Sequence, residues 1–572
     1  MDTVRDVPYV FNCRIKYRRN LVQLFLTATL YRSKLIVAGI TFTNGNIVTL
    51  DESIPAADTV AIRQGRIAYV GWAQGAASYQ DPGTEIIDLD GKTLIPGFND
   101  NHLHAIYMGD YFSRPNLSGL DQEQIIDKLL AVDKTLDKGE TLTAFGWDYP
   151  SCPDPHRKLL DRAFPDRPVA LFQYSGHAVW VNTVILKKLK VTAHTPDPPG
   201  GKIEKDSAGE PTGILKDRAA YPVHYKRFIQ MNLRSKLRAG LIDTALTLFR
   251  ENGITSVQDN TWSPFTVSHF QRLKRRGALT ARVSCWSRGE PAWSRIWLEH
   301  KRFDPYWVRK GPRKFFIDGT FSTRTAMLES AYRGEPENFG LPAVSPKRLF
   351  HEIRKGLQQK RQLALHAIGD RAIRQFLDTL ENFKEAKARV RALRFRLEHA
   401  QLIAPRDLAR LADWGILLAV QPSALINLKK DQGLLGEERA ERAYAFKSIL
   451  AAGIPLSFGS DVPGESQFKP LELIQLAVNR QTGEKITSYE ALEAYTKGSA
   501  YAEFMESEKG TLTPGKLADC VVLSEDPTRC PPNRIGDIRV EMTITGGKIV
   551  YCNGESSRPS HFGDGAGPVG KT

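Results

Sequence analysis

Apolar and polar residues alternate over short stretches near both ends of the chain. Residues 39–98 include the stretches GITFTNGNIVTLD, TVAIRQGRIAYVGW and TEIIDLDGKTLIPGF, which are broken by turn signals such as Asn44-Gly45. The same pattern returns in GTLTPGKLADCVVLSEDP and VEMTITGGKIVYCNG. Period-two alternation broken by such turns predicts antiparallel strands. We therefore predict a small composite β-sandwich built from residues 39–95 and 505–552.

Between these segments, apolar stretches alternate with amphipathic stretches of helical length, which is typical of parallel α/β architecture. The first strand is predicted in TLIPGFNDNHLH, and seven more in GITSVQDN, ARVSCWS, PRKFFIDG, RQLALHAIGD, RFRLEHAQ, GILLAVQPS and IPLSFGSD. Eight such strands predict a (β/α)8 TIM-type barrel over residues 96–504. The connection after the first strand is far longer than usual, which predicts an insertion subdomain at about residues 110–225.

Composition and charge add one feature, a basic N-terminal segment. The chain has 572 residues, of which 41% are hydrophobic and 25% charged, which excludes collagen-like and wholly disordered proteins. The net charge is +15, but residues 1–38 hold seven basic and two acidic residues and so account for 7 − 2 = +5. No aromatic and basic residues interleave on a recognisable platform, so we expect no nucleic-acid partner. We predict a basic extension at residues 1–38 and a flexible tail at residues 553–572.

Cysteine spacing and hydrophobicity predict the cellular compartment. The six cysteines form no C-x-x-C pair, which favours reduced thiols in the cytoplasm over a disulfide framework or a zinc ribbon. The apolar segment at residues 21–31 follows Arg18-Arg19 but is shorter than the ~20 residues needed to cross a bilayer. We therefore predict a cytoplasmic protein without a membrane span. Export through a twin-arginine-like signal is the weaker alternative.

The motif His102-Leu103-His104 closes the first predicted barrel strand. Because side chains alternate along a strand, both imidazoles project to the same side. At the carboxyl end of a barrel strand, that side is the mouth in which active sites lie. A His-x-His pair alone can also be a surface coincidence, so the interpretation depends on further residues.

Four further residues of metal-binding or charged type lie in other predicted strands. His366, His399 and Asp461 each close a strand, and Lys314 lies within PRKFFIDG. A buried lysine without a partner is costly unless it is neutralised or paired. Neutral imidazoles and carboxylates are ligands for a borderline cation such as Zn²⁺. We therefore predict that these side chains converge with the His-x-His pair on one mouth of the barrel.

Six segments, in this order, resemble the amidohydrolase superfamily and, within it, the amidohydrolase 3 (YtcJ-like) branch: PGFNDNHLH, RKFFIDGTFSTRTA, LALHAIGDRAI, RLEHAQ, SFGSDVP and PGKLADCVVL. The resemblance covers roughly residues 39–552. It implies a centre of two Zn²⁺ ions, with His102, His104 and Asp461 on one ion and His366 and His399 on the other. It also implies that CO2 carbamylates Lys314, which then bridges both ions.

The resemblance further implies a reaction, the hydrolysis of the carbon–nitrogen bond of a small non-peptide amide such as an N-substituted formamide. Two cations that share a hydroxide lower the proton affinity of water, and Asp461 can accept a proton and deliver it to the departing nitrogen. Two alternatives stay open at this point. One is a hydrolase of another carboxyl or cyclic amide derivative, and the other is a non-catalytic homologue that binds or signals. A homo-oligomer is also compatible with the sequence.

Three more residues are candidates for contact with the substrate. His177 in YSGHAVWVN resembles a family segment that lies against the pocket, although it can equally be a packing histidine. Arg324 can orient an oxyanion or a carboxylate substituent, or form a salt bridge that faces solvent. Trp147 in FGWDYP can line an apolar pocket, although large aromatic residues are more often part of a core.

Overall fold

The computed structural model describes residues 39–173, 178–198, 201–260, 263–288, 302–465, 467–481 and 483–554. These residues form four β-sheets with helices packed around them. The predicted fold class is confirmed, because the sheets comprise an eight-stranded parallel barrel, a composite β-sandwich and an insertion. The predicted extension at residues 1–38 and residues 555–572 of the predicted tail lie outside the described residues.

The β-sandwich is built from two sheets. One has the order β4-β3-β1-β5 and consists of β1 (Ile40–Thr43), β3 (Thr59–Arg63), β4 (Arg66–Gly71) and β5 (Glu85–Asp88). The other has the order β2-β6-β20-β21-β22 and consists of β2 (Asn46–Ile47), β6 (Thr93–Pro96), β20 (Cys520–Leu523), β21 (Val540–Thr545) and β22 (Lys548–Cys552). One buried apolar cluster contains Phe42 and Val60 together with Val522. Strands from both ends of the chain therefore share one core.

The barrel is a sheet of eight parallel strands in the order β19-β18-β17-β16-β15-β14-β13-β7. They are β7 (Phe98–Leu103), β13 (Ile254–Asp259), β14 (Arg282–Arg288), β15 (Val308–Phe316), β16 (Leu363–Ala367), β17 (Arg396–His399), β18 (Leu417–Val420) and β19 (Leu456–Phe458). Leu397 packs in the main apolar core, whereas its neighbours Arg396 and Glu398 contact side chains of other barrel strands. The interior of the barrel is therefore partly polar.

Backbone hydrogen bonds join the end of the last barrel strand to the first strand. The Asp461 N–H donates to the carbonyl of His102 at 2.7 Å, and the His104 N–H donates to the carbonyl of Val462 at 3.0 Å. The barrel is closed at its carboxyl end by these two bonds. The same bonds fix the positions of three predicted ligands relative to one another.

The first predicted barrel strand, TLIPGFNDNHLH, is in fact two strands, β6 and β7, that meet at Gly97. The strand β6 pairs with β2 and β20 in the sandwich, whereas β7 pairs with β13 in the barrel. A Cβ atom at Gly97 would lie 2.1 Å from Oγ1 of Thr255, so only glycine allows the chain to pass this close to β13. The periodicity of the sequence does not reveal that one apolar run serves two sheets.

The long first connection contains a five-stranded sheet in the order β11-β12-β10-β9-β8. Its strands are β8 (Leu142–Trp147), β9 (Val169–Gln173), β10 (Ala178–Val181), β11 (Gly201–Lys205) and β12 (Pro211–Asp217). The pair β8 and β9 is parallel, and the other pairs are antiparallel. This sheet has apolar clusters of its own, which include Trp147 and Trp180 on one side and Phe172 on the other.

The α-helices follow the barrel strands and flank the insertion sheet. Their bounds are Ala73–Ala76, Ala105–Phe112, Gln122–Asp133, Arg157–Ala163, Thr183–Leu189, Tyr221–Leu233, Ser235–Glu251, Pro264–Arg275, Pro346–Gln358, Asp370–Leu380, Lys387–Ala392, Pro405–Trp414, Leu428–Leu435, Glu437–Arg442, Phe446–Ala451, Pro470–Val478, Ser488–Glu493 and Ser499–Ala502. Over the residues that the structure describes, no helix combines the length and the apolar character needed to cross a bilayer.

Candidate metal centre

The His-x-His pair lies at the carboxyl end of β7. His102 is in the strand and almost fully buried, and His104 immediately precedes the helix Ala105–Phe112. The centroids of the two imidazole rings are 5.9 Å apart. The side chain of His104 is 22% exposed, so it reaches the open side of the site, whereas the side chain of His102 is only 1% exposed.

Asp461 lies three residues beyond β19 and faces both histidines. Its Oδ1 atom is 3.3 Å from Nε2 of His104 and 3.6 Å from Nε2 of His102. One ligand atom from each of the three residues lies within 4.8 Å of the others, so these residues could hold a metal ion. Asp461 has a φ of 57°, a left-handed conformation that is uncommon for a residue with a side chain and is typical of functional sites.

His366 and His399 lie on the neighbouring strands β16 and β17, next to the first three residues. Their ring centroids are 4.4 Å apart, and the ring of His399 is 5.2 Å from that of His102. Nδ1 of His399 is 4.0 Å from Oδ2 of Asp461. Nε2 of His366 lies 3.0 Å from the carbonyl oxygen of Gly319, to which it donates a hydrogen bond if it carries the proton. In that tautomer, the lone pair for a metal ion is on Nδ1 of His366.

Lys314 lies on β15 and is 2% exposed. Its Nζ atom is 3.4 Å from Nε2 of His102, so the lysine nitrogen lies beside the other predicted ligand atoms. The ammonium also lies 5.3 Å from the ring centre of Phe316 and 6.0 Å from that of Trp286. The structure thus brings together predicted side chains that lie on, or directly after, five barrel strands: β7, β15, β16, β17 and β19.

Glu398 is a residue of the site that the sequence interpretation missed. Its Oε2 atom is 2.6 Å from Nδ1 of His102, and both side chains are buried. Arg396 donates to the two oxygens of this carboxylate, from Nε at 2.6 Å and from Nη2 at 3.3 Å. The signal was present in RLEHAQ, where Arg396 and Glu398 are two residues apart on a buried strand and therefore share a face.

Asp318 holds the loop after β15 against the loop after β16. Its carboxylate accepts hydrogen bonds from the N–H groups of Ile368 at 3.0 Å, Gly369 at 2.9 Å and Met327 at 3.0 Å. Oδ1 of Asp318 is also 3.7 Å from Nε2 of His366. Asp318 and Gly319, which follow β15, therefore hold His366 in position. In the sequence, these two residues are visible only as part of a motif.

Burial and nearby charges set the protonation states of the centre. Burial, assisted by the positive charge of Lys314, lowers the pKa of His102 to about 4 and that of His366 to about 3. Burial also lowers the pKa of His399 well below its usual range. These imidazoles are therefore neutral at pH 7, which is the form that binds a metal ion.

The two carboxylates of the centre are ionised in spite of their burial. Burial alone would raise the pKa of Asp461, but the neighbouring imidazoles of His102, His104 and His399, with a hydrogen bond from His104, hold it far below its usual range. Burial would likewise raise the pKa of Glu398, yet Arg396 and His102 lower it to about 2. The centre thus offers neutral nitrogens and an ionised carboxylate, a donor set suited to a borderline divalent cation such as Zn²⁺.

The three candidate substrate contacts have different positions. Trp147 is fully buried in the insertion, where its Nε1 donates to the carbonyl of Leu171 at 2.9 Å, so it packs in a core and does not line an open pocket. Arg324 is 46% exposed and forms an ion pair with Glu335, the salt bridge that was the alternative interpretation. His177 lies outside the described residues, and its contact with substrate stays a prediction.

Comparisons with known proteins agree with this geometry. A family model described as "Amidohydrolase family" matches residues 85–551. The chain is 32% identical to protein LONG AFTER FAR-RED 3 of Arabidopsis thaliana, over 90% of the chain and 92% of that protein. It is 30% identical to the putative amidohydrolase YtcJ of Bacillus subtilis, with 89% and 98% covered, and 28% identical to the N-substituted formamide deformylase of Arthrobacter pascens, with 89% and 97% covered.

A solved structure supports the same relationship. The crystal structure of an uncharacterized metal-dependent hydrolase from Pyrococcus furiosus superposes with a TM-score of 0.72 at 27% identity. The superposition covers 86% of the chain and all of that protein. The similarity therefore extends over most of the chain and is not confined to the motifs around the histidines.

Proposed function

The chain belongs to the amidohydrolase family, and we propose that it is a metal-dependent hydrolase of the carbon–nitrogen bond of a small non-peptide amide. The substrate class that we propose is an N-substituted formamide, because the deformylase of Arthrobacter pascens is similar over 97% of its length. One observation carries this proposal. An ionised carboxylate, Asp461, lies within 3.3 to 3.6 Å of two histidine nitrogens at the mouth of the barrel.

In this proposal, six side chains hold the metal: His102, His104, Lys314, His366, His399 and Asp461. A bound divalent cation of the Zn²⁺ type supplies Lewis acidity, which lowers the pKa of water and polarises a carbonyl group. The residues fit such a cation, because the donors are neutral imidazole nitrogens and carboxylate oxygens in one cluster. The contacts around His102 and Asp461 support this assignment.

Lys314 has a specific role in the proposal. As an ammonium Lys314 cannot bind a metal, and it lies buried beside His102. Its neutral amine can add to CO2, with formation of an N–C bond and loss of one proton, to give an anionic carbamate. Such a carbamate would offer anionic oxygen ligands beyond Nζ, next to His102. We therefore include a carbamate on Lys314 and a second Zn²⁺ ion in the proposal.

Asp461 carries the proton in the proposed reaction. Its carboxylate is ionised at neutral pH and is 20% exposed, so it can accept a proton from water at the mouth of the site. The water oxygen then bonds to the carbonyl carbon of the formamide. The carbon–nitrogen bond breaks as the nitrogen takes the proton from Asp461, and a free amine and formic acid are released, the acid then losing its proton to water to give formate.

The first test is the metal requirement. Purified protein is analysed for metals and assayed for aniline release from N-phenylformamide, before and after treatment with a chelator, and again after addition of Zn²⁺. We expect activity to disappear with the metal and to return with Zn²⁺. Full activity in metal-free protein would refute the proposal. Hydrolysis of a cyclic amide with no hydrolysis of any formamide would replace the proposed substrate class.

The second test separates Asp461 from general effects of a buried charge. We expect Asp461→Asn to retain its fold and to lower turnover by about 10²- to 10⁴-fold, the usual contribution of a general acid–base. The control is Asp407→Asn, since Asp407 is a buried carboxylate that is ion-paired with Arg374 but lies on the helix Pro405–Trp414. Near-normal turnover of Asp461→Asn would exclude its role in proton transfer.

A further inference from the structure

A buried chain of polar side chains connects the barrel interior to the metal centre. Arg396 is fully buried, and its guanidinium donates to four acceptors on three strands. Two of them are the oxygens of Glu398, the third is Oε1 of Gln258 at 2.6 Å, and the fourth is the carbonyl of Asn101 at 3.1 Å. The guanidinium also lies 4.9 Å from the ring centre of Trp286. These contacts fix the orientation of the Arg396 guanidinium and, through it, that of the Glu398 carboxylate.

The fixed carboxylate of Glu398 determines which nitrogen of His102 carries the proton. Its Oε2 atom is 2.6 Å from Nδ1 of His102 and can only accept a hydrogen bond. A neutral imidazole has one N–H, so the proton is on Nδ1 and the lone pair is on Nε2. Nε2 is the atom that lies 3.6 Å from Oδ1 of Asp461. The lone pair is thereby directed to the place where the other predicted ligands meet.

We propose that Glu398, clamped by Arg396, is a positioning residue that fixes the tautomer and ring orientation of His102 and so sets the affinity of the centre for its metal. The inference rests on the proposed function in one respect, the assignment of His102 as a ligand. Neither Glu398 nor Arg396 binds the metal itself in this proposal. Carboxylates that accept from the second nitrogen of a metal-binding histidine typically contribute 10- to 100-fold to metal affinity or activity.

The isosteric variant Glu398→Gln tests the proposal directly. If the amide oxygen of Gln faces His102, its NH2 group opposes the N–H donors of Arg396. If the NH2 group faces His102 instead, it donates to Nδ1 and forces the proton onto Nε2, where it blocks the lone pair. Both orientations are unfavourable for metal binding. We therefore expect the affinity for Zn²⁺, measured by competition with an indicator chelator, to fall by about 10- to 100-fold.

The chain offers a matched control in Glu352. It is also a buried glutamate, and it pairs with Arg313 at 2.7 Å and with Arg348 at 2.6 Å, but it lies on the helix Pro346–Gln358 outside the barrel. We expect Glu352→Gln to lose stability and to keep the Zn²⁺ affinity of the wild type. An equal loss of affinity in Glu352→Gln would show that any weakened buried ion pair disturbs the centre, and would overturn the proposal.

A second pair of variants distinguishes charge from shape. Glu398→Asp keeps the negative charge and shortens the side chain, whereas Glu398→Gln keeps the shape and removes the charge. The proposed role predicts tighter Zn²⁺ binding by Glu398→Asp than by Glu398→Gln, and the opposite ranking would overturn it. If Glu398→Gln does not fold, the double variant Arg396→Met with Glu398→Leu removes both buried charges and the acceptor for the Nδ1–H group of His102, and the same loss of affinity is expected.

A spectroscopic measurement adds a result that does not depend on activity. Replacement of the metal by Co²⁺ gives visible absorption bands that report the coordination of the ion. We expect these bands to change in Glu398→Gln and to match the wild type in Glu352→Gln. If the wild type binds neither Zn²⁺ nor Co²⁺, the proposed function fails. If it binds both and Glu398→Gln has the same affinity and spectrum, only the present inference fails.

Discussion

Gly109 lies in the helix Ala105–Phe112, which begins one residue after His104, and it allows close contact with the helix Ser235–Glu251. A Cβ atom at position 109 would lie 1.9 Å from the carbonyl oxygen of Leu241 and 2.6 Å from its carbonyl carbon. These are backbone atoms and cannot rotate away. We therefore predict that Gly109→Ala forces the two helices apart by about 1.5 Å, the difference between 1.9 Å and an ordinary contact of 3.4 Å.

The expected magnitude follows from two opposing effects. Overpacking of this kind costs about 1–3 kcal/mol, whereas alanine favours a helix over glycine by about 1 kcal/mol. Because the helix starts beside His104, the movement also shifts this histidine relative to Asp461, from which it is now separated by 3.3 Å. A displacement near 1 Å at a reacting centre can cost about 10²-fold in rate. We expect a moderate loss of stability and a large loss of activity.

The control is Gly240→Ala on the helix Ser235–Glu251, where no heavy atom lies within 4 Å of the added Cβ. Chemical denaturation followed by circular dichroism should show Gly240→Ala to be slightly stabilised, by about 1 kcal/mol, with normal hydrolysis of N-phenylformamide. Gly109→Ala should be less stable than Gly240→Ala and much less active. Equal stability and activity of the two variants would refute the reasoning from helix contact.

Two other predictions follow from charged groups. In the metal-free protein with unmodified Lys314, burial and the charge of Lys314 lower the pKa of His102 to about 4 and that of His366 to about 3. An NMR titration of these two imidazoles should therefore show no protonation until the pH falls well below 6.5, and protonation of either ring near pH 6.5 would contradict this prediction. Arg282 at the start of β14 binds both oxygens of Asp519 at 2.6 and 2.9 Å and joins the barrel to the sandwich. Arg282→Met should therefore destabilise the protein by about 3–5 kcal/mol in chemical denaturation, and addition of Asp519→Asn should restore part of this loss if the unpaired carboxylate is its cause.

The strands and most of the proposed ligands could be predicted from the sequence because each has a local signal. His366 and His399 end short apolar runs, and the runs have the length and spacing of parallel strands. The rule that the carboxyl ends of parallel strands share one mouth then brings distant residues together without any knowledge of the contacts. This is why residues from strands far apart in the chain could be assigned to one centre.

The contacts that orient these ligands could not be predicted in the same way. The hydrogen bond of Glu398 to His102 depends on how two strands that are not neighbours face each other across the barrel. The division of one apolar run at Gly97 depends on the approach of Thr255, a contact between distant residues. The sequence around Trp147 is equally compatible with a core position and with a pocket wall. Its core position follows from packing against distant residues of the insertion sheet, which the local sequence does not show.

The closure of the barrel between β19 and β7 has a consequence during protein synthesis. The backbone hydrogen bonds between Asp461 and His102, and between His104 and Val462, join the first barrel strand in the sequence to the segment after the last one. A nascent chain that has emerged only as far as the seventh barrel strand already displays four imidazoles, but it lacks the segment that completes the ring. Release of a truncated product should therefore give an open, aggregation-prone sheet with no intact centre. Correct translation through the final barrel strand is a precondition for metal loading, and the cell gains no partly active fragment from an early stop.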